Sequence, residues 1–221
     1  MGALHSALLA AVPHGFSTRA GLADFTGLVA APFVTLRQVH SADVIVVRGP
    51  WQSGAAPAAD AMVTTQRGLP LAIATADCAP VLLADIDAGV IGAAHAGWRG
   101  AVGGVVENTV SAMEQSGARR SAIIAAIGPC IAQANYEVDA AFRDRFGNAA
   151  SPFFVPGAKD HWHFDLPGFV AEQLTVAGVG QVDDLACDTY AQSGLFHSYR
   201  RAMHAQVKND GRQFSYIALP G

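Results

Sequence analysis

The chain has 221 residues, 51% hydrophobic and 14% charged, with a formal net charge of −4. That composition suits one globular domain with a substantial core and excludes a disordered chain. Of its 14 basic residues only Lys159 and Lys208 are lysines, and no basic stripe forms, which excludes nucleic acid as the main partner and suits a small anion instead.

No apolar run approaches the ~20 residues of a spanning helix, and "MGALHSALLAAVPHG" lacks a basic region and cleavage site, so no membrane partner is expected. Cys78, Cys130 and Cys187 are too widely spaced for a disulfide framework. They read as reduced thiols of a cytoplasmic protein.

In chain order, "ADVIVV" (42–47), "DAMVTT" (60–65), "PLAIATA" (70–76), "PVLLADI" (80–86) and "GVIGAAHA" (89–96) are short apolar runs bounded by Gly, Pro or Asp. Their near-continuous hydrophobicity predicts strands covered on both faces. Val102, Val105, Val106, Val110 and Met113 recur at helical spacing and predict a helix over 101–115, stopped by Gly117. "SAIIAAIG" (121–128) returns as a strand. Asp139 is placed to cap a short helix through Phe142 and Phe146, and Asp165 one carrying Leu166, Val170, Leu174 and Ala177. "QFSYIAL" (213–219) alternates as a last strand. "GPWQSGAAPAAD" (49–60) is a loop too short to separate domains, so residues 1–221 form a single layered α+β domain with mixed sheets flanked by helices.

His5 and His14 read as surface residues, as does His204. His161 and His163 would share one face of a strand at a solvated edge. His40, Cys78 and His95 are different, because all three sit at expected strand ends. Two imidazoles and a thiolate satisfy three of zinc's four positions, leaving one open. Spacings of 38 and 17 residues do not by themselves separate a metal site from buried packing.

Arg99 stands among Gly97, Gly100, Gly103 and Gly104 at a helix start, where an anion would meet free N–H groups. The same glycines also suit close packing of strand and helix. Cys130, at the Gly-Pro turn of "IGPCI", is either a reactive thiol or a small inert residue, and Cys187 reads as buried.

Taken together, "HGFSTR", "RQVHSADV", "DAMVTTQRGLPLAIATADCAPVLLAD", "GVIGAAHAGWRGAVGGVVENTV", "IGPCIAQANYEV" and "FHSYRR" resemble the YfiH-type, or laccase-domain, family over nearly the whole chain. The "ADC-x-P" and "HAGWRG" pair carries most of that likeness. The resemblance implies an α+β fold similar to the catalytic domain of cytotoxic necrotizing factor toxins. It also implies one transition-metal ion, zinc with copper as the alternative, on His40, Cys78 and His95. The implied activity is a purine nucleoside phosphorylase taking phosphate with adenosine, inosine or methylthioadenosine, with adenosine deaminase activity at the same site.

On that reading Arg19, Gln38 and Trp98 contact substrate, with Trp98 either stacking on the base or only packing, Arg99 meets phosphate or ribose, Asp77 carries protons or orients a metal ligand, and Cys130 joins the catalytic group. A metal-independent cysteine hydrolase using Cys78 and His95 is the alternative. Copper-dependent polyphenol oxidation is disfavoured, because eight histidines with one H-x-H pair are few for several copper ions. Two segments depart from the family pattern. Only 18 residues separate Arg19 from Gln38, and "AMHAQVKNDGR" lengthens the tail.

Overall fold

The computed structural model describes residues 2–25, 31–209 and 211–221. Residues 26–30 of the short Arg19-to-Gln38 segment, and residue 210 of the lengthened tail, lie outside that set.

The strands are β1 (His14–Phe16), β2 (Val44–Val46), β3 (Ala61–Thr64), β4 (Leu71–Thr75), β5 (Ala79–Asp85), β6 (Val90–Ala96), β7 (Ile124–Ile127), β8 (Glu137–Asp139), β9 (Phe154–Pro156), β10 (His161–Phe164), β11 (Gln181–Asp184) and β12 (Gln213–Ile217). The helices are α1 (Trp98–Gly103), α2 (Val105–Gln115), α3 (Ala140–Arg143), α4 (Leu166–Val176) and α5 (Tyr199–His204).

A six-stranded mixed sheet in the order β11-β7-β5-β6-β3-β2 forms the centre. Its outer pairs, β11 with β7 and β2 with β3, are parallel, and the inner pairs are antiparallel. β5 and β6 are buried at every position, which explains why neither alternates in sequence. Alternate residues still serve different cores. Val81, Leu83, Ala94 and Ala96 face α2 and α4, meeting Val106, Val110, Leu166 and Val170. Leu82, Ala84, Ile91 and Ala93 face a three-stranded sheet β1-β12-β4 through Phe16, Leu71, Ile73 and Ile217. The result is a three-layer α+β domain. A further small sheet, β8-β10-β9, packs its Phe154 and Phe164 into the helix-side core.

The expected 101–115 helix begins earlier and is broken in two. Gly104 adopts φ 92°, a left-handed conformation that glycine takes without steric cost, and this ends α1 and starts α2. Val102 consequently stands 41% exposed rather than on the buried face. Asp139 and Asp165 cap as expected, accepting from the N–H of Phe142 and Gly168.

Three histidine and cysteine expectations are corrected. His14 is buried, its ring bonded to the Val12 carbonyl and the Ser6 N–H. β10, which bears His161 and His163, is the middle strand of its sheet rather than an edge. Cys187 is half-buried, with its thiol against the Leu185 carbonyl. All three cysteines are free thiols. Among the described residues no helix is long and apolar enough to cross a membrane.

Candidate metal centre

His40, Cys78 and His95 converge. One ligand atom from each lies within 4.8 Å of the others, and among the described residues this is the group of three such donors that comes together. His95 occupies the penultimate position of β6, Cys78 the bend between β4 and β5, and His40 a bend in the segment before β2. Two of the three are therefore loop residues beside strand ends rather than strand termini.

Asp60, which immediately precedes β3, organises the group. Its side chain is fully buried. Its carboxylate accepts from the backbone N–H of Val39 (3.1 Å), His40 (3.0 Å) and Ser41 (2.7 Å), and from His95 Nδ1 at 2.7 Å. Three successive amides turned onto one carboxylate need an unusual backbone, and His40 accordingly sits at φ 61°. Such a conformation costs on the order of 1–3 kcal/mol, which charge-assisted hydrogen bonds offset. Burial opposes the Asp60 charge, but His95 and the three amides hold its carboxyl well below the usual range. With Nδ1 engaged, His95 turns Nε2 toward Cys78 and His40, as a histidine ligand oriented by a carboxylate does.

The thiol responds to these neighbours. Burial works against the thiolate, yet His40 and His95 bring the Cys78 thiol down to about 7. Burial likewise works against the His95 cation, while Asp60 and Cys78 raise its imidazole to about 9. Cys78 Sγ lies 4.0 Å from His40 Nε2. A tetrahedral zinc with ordinary bond lengths separates N and S ligands by about 3.5 Å, so a small inward movement seats an ion. The donor set, its spacing and the oriented imidazole fit zinc, and two imidazoles with a thiolate also suit copper.

Gly97 accounts for much of the sequence pattern around His95. A Cβ there would stand 2.9 Å from Cys78 Sγ and 3.0 Å from the His40 ring, and one at Gly100 would stand 2.9 Å from the Ser41 carbonyl. These glycines serve close packing against the His40 segment. Arg99 is exposed, with its guanidinium 4.5 Å from the Trp98 ring centre. Trp98 packs against Phe142 at 4.9 Å between ring centres.

Two cavities open on the donors. One of about 360 Å³ is lined by Gln38, Thr75, Arg99, Asn209 and Arg212, and one of about 260 Å³ by Asp77, Trp98, Ile131, Tyr136, Arg99 and Arg200. His40, Cys78 and Tyr199 belong to both.

The remaining expected site residues divide. The Gln38 amide is spent on the backbone of Ala74, at 2.8 and 3.0 Å, and pins the His40 segment to β4. Asp77, at φ 89°, accepts from Thr189 Oγ1 (2.7 Å) and the Arg200 N–H (2.6 Å), tying the Cys78 bend to α5. Arg19 is not among the residues lining either cavity, and its guanidinium donates to the Phe196 carbonyl at 3.3 Å.

Cys130 is 3% exposed and belongs to the helix-side core, where burial pushes its thiol well above its ordinary value. The structure does not bring it to the donor group. Sequence reasoning missed Asp60, Tyr199 and Arg212. A lone aspartate opening an otherwise buried strand was the available signal for Asp60.

Residues 16–220 match the family of multi-copper polyphenol oxidoreductase laccases. The chain is 50% identical over 193 residues to a purine nucleoside phosphorylase of Streptomyces coelicolor, covering 87% of this chain and 77% of the relative. It is 38% identical over 241 residues to one of Deinococcus radiodurans, covering 95% and 90%. Among solved structures it resembles YlmD of Geobacillus stearothermophilus, with a TM-score of 0.89, 26% identity and coverage of 100% and 97%. It also resembles YfiH of Bacillus licheniformis, with a TM-score of 0.84, 26% identity and coverage of 93% and 92%. With its fold and motifs in agreement, the chain belongs to the laccase-like family of YfiH-type proteins.

Proposed function

We propose that this protein is a metal-dependent purine nucleoside phosphorylase. Zinc is the metal and adenosine, inosine and methylthioadenosine are the substrates, with adenosine deamination at the same site. The observation that carries this reading is the meeting of two cavities at one donor group, where His40, Cys78 and Arg99 line both. The phosphorylase names of the relatives support the reaction class.

In phosphorolysis a phosphate oxygen attacks the anomeric carbon, the glycosidic C–N bond breaks, and the base leaves with the bonding pair and takes up a proton. The enzyme must place the anion and stabilise the developing charges. Arg99, exposed to both cavities, meets the phosphate at their junction. Trp98, Tyr136 and Tyr199 give the smaller cavity aromatic walls suited to a flat base. Asp60 holds His95 in one orientation, and Asp77 holds the Cys78 bend. Each Asp77 oxygen is tied to the protein, one by Thr189 and one by the Arg200 amide, and its role in this reading is positioning. A bound metal ion supplies Lewis acidity at the junction.

The deciding experiment is metal analysis of freshly purified protein combined with a nucleoside panel, with and without phosphate. The expected result is one equivalent of zinc and base release that requires phosphate. Release at equal rate without phosphate would overturn the phosphorylase reading.

A second reading, a cysteine hydrolase, draws on the Cys78 thiol lowered to about 7 beside His95. Stoichiometric zinc in the purified protein would occupy that thiol and overturn this second reading. Multicopper oxidation needs several copper ions, and a single donor trio assembles among the described residues.

A further inference from the structure

Resting on the phosphorylase reading of this site, we propose that Arg212 is the second cation of a phosphate subsite, acting with Arg99 on the wall of the larger cavity. The chain is acidic overall, yet among the described residues no Asp or Glu lines this cavity, whereas two arginines do. Neighbouring arginines are committed to the protein itself. Arg200 donates to the Glu137 carbonyl, and Arg201 to the carbonyls of Thr189, Tyr190 and Phe196. Arg99 and Arg212 differ from them. Among the described residues neither has a hydrogen-bond or ion-pair acceptor, and Arg99 only rests over Trp98.

The backbone under Arg212 is well anchored. It directly precedes β12, whose first residue Gln213 pairs with Thr75 of β4, so Arg212 enters at the end of β4 that leads into the Cys78 bend. Gln213 also accepts from the His197 N–H at 3.0 Å. The chain reaches this position through Gly211, where a Cβ would stand 2.5 Å from the His197 ring. Thr75 lines the same cavity, and among the described residues its hydroxyl has no hydrogen-bond partner. Two guanidinium forks without internal acceptors, one beside a sheet end and one on α1, suit a tetrahedral dianion accepting paired hydrogen bonds. Phosphate thus occupies the larger cavity and the base the aromatic one, with the glycosidic bond at the His40, Cys78 and Arg99 junction.

The test is calorimetric titration of inorganic phosphate into the metal-loaded protein without nucleoside, comparing wild type, Arg212→Gln and Arg212→Lys at matched metal content. Losing one charge-assisted contact weakens phosphate binding roughly tenfold or more in Arg212→Gln, and lysine restores a fraction of it. In turnover the KM for phosphate rises by the same factor, while the KM for nucleoside stays within about twofold. Equal phosphate affinity in wild type and Arg212→Gln overturns the subsite. The two readings fail separately. Arg212-dependent phosphate binding without base release from any nucleoside sinks the phosphorylase and keeps the subsite. Phosphate-dependent base release with an unchanged phosphate KM in Arg212→Gln keeps the phosphorylase and sinks the subsite.

Discussion

Asp60 makes no contact that its own position in sequence announces, yet it sets the geometry of two of the three metal donors. It fixes the His95 ring through Nδ1 and the His40 backbone through the three amides at 39–41. Asp60→Asn would set an amide N–H₂ against those donors, leaving at least one N–H of the buried cluster unsatisfied. Metal affinity should fall roughly 10–100-fold, and stability by on the order of 1–3 kcal/mol. Competition with a chelator and thermal melts read the two effects. An unchanged metal affinity would mean that His95 keeps its orientation without the carboxylate.

The cysteines give a paired contrast. Cys78→Ala should abolish both metal content and phosphate-dependent base release. Cys130→Ala should keep both, because that thiol is packed in the core. If Cys130→Ala lost activity with its metal intact, the core assignment of that residue would have to be revised.

At the scale of elements, the strands with uninterrupted apolar runs were legible in sequence because burial on both faces leaves a plain signal. β3, β4 and β6 fall within their expected spans, and β5 begins one residue before its own. β8, β9 and β11 were not, since strands of three or four mixed residues carry no periodicity to read. Convergence of His40, Cys78 and His95 was legible only through family resemblance, since spacings of 38 and 17 residues do not encode which bends approach. Cys130 misled for a related reason. A Gly-Pro turn signals a bend but does not say whether the bend faces solvent, and here it runs beneath the helix layer.

The junction of β6 and α1 is where sequence pattern and site geometry meet most closely. Gly97→Ala would press a methyl group onto Cys78 Sγ and the His40 ring. Both contacts are tighter than side chains normally tolerate, so the donors must separate. Overpacking of this kind costs about 1–3 kcal/mol. Because the donors swing apart to relieve it when no ion holds them, most of that cost appears in metal affinity, which should drop by roughly tenfold or more, and only the smaller remainder as a lower melt of the metal-free protein. A large loss of metal-free stability with unaltered metal affinity would place the strain in the helix instead.

The whole molecule depends on how the β1-β12-β4 sheet is fastened to the six-stranded one, and His14 contributes to that fastening. β1 carries His14 opposite Ile217 of β12. The ring receives the Ser6 N–H on Nε2 and sends Nδ1–H to the Val12 carbonyl, while Ser6 Oγ donates to Asp183 on edge strand β11 at 2.5 Å. The N-terminal segment thus bridges the two sheets through an imidazole that must be neutral, since a proton on Nε2 would face the Ser6 N–H. Burial lowers the His14 pKa below its ordinary 6.5. Below that pH the unfolded chain binds the proton more readily than the folded one, so stability is full above about 6.5 and declines as pH falls toward the folded-state value. Thermal melts at about pH 7.5 and about pH 5.5 should therefore differ more for wild type than for His14→Gln, whose amide can serve one donor and one acceptor without titrating. Other groups titrate over the same window, His95 in the opposite sense because its value is raised to about 9. They are common to both proteins and cancel in the difference between them. If the two proteins lose stability equally on acidification, His14 is not the group that loosens the sheets.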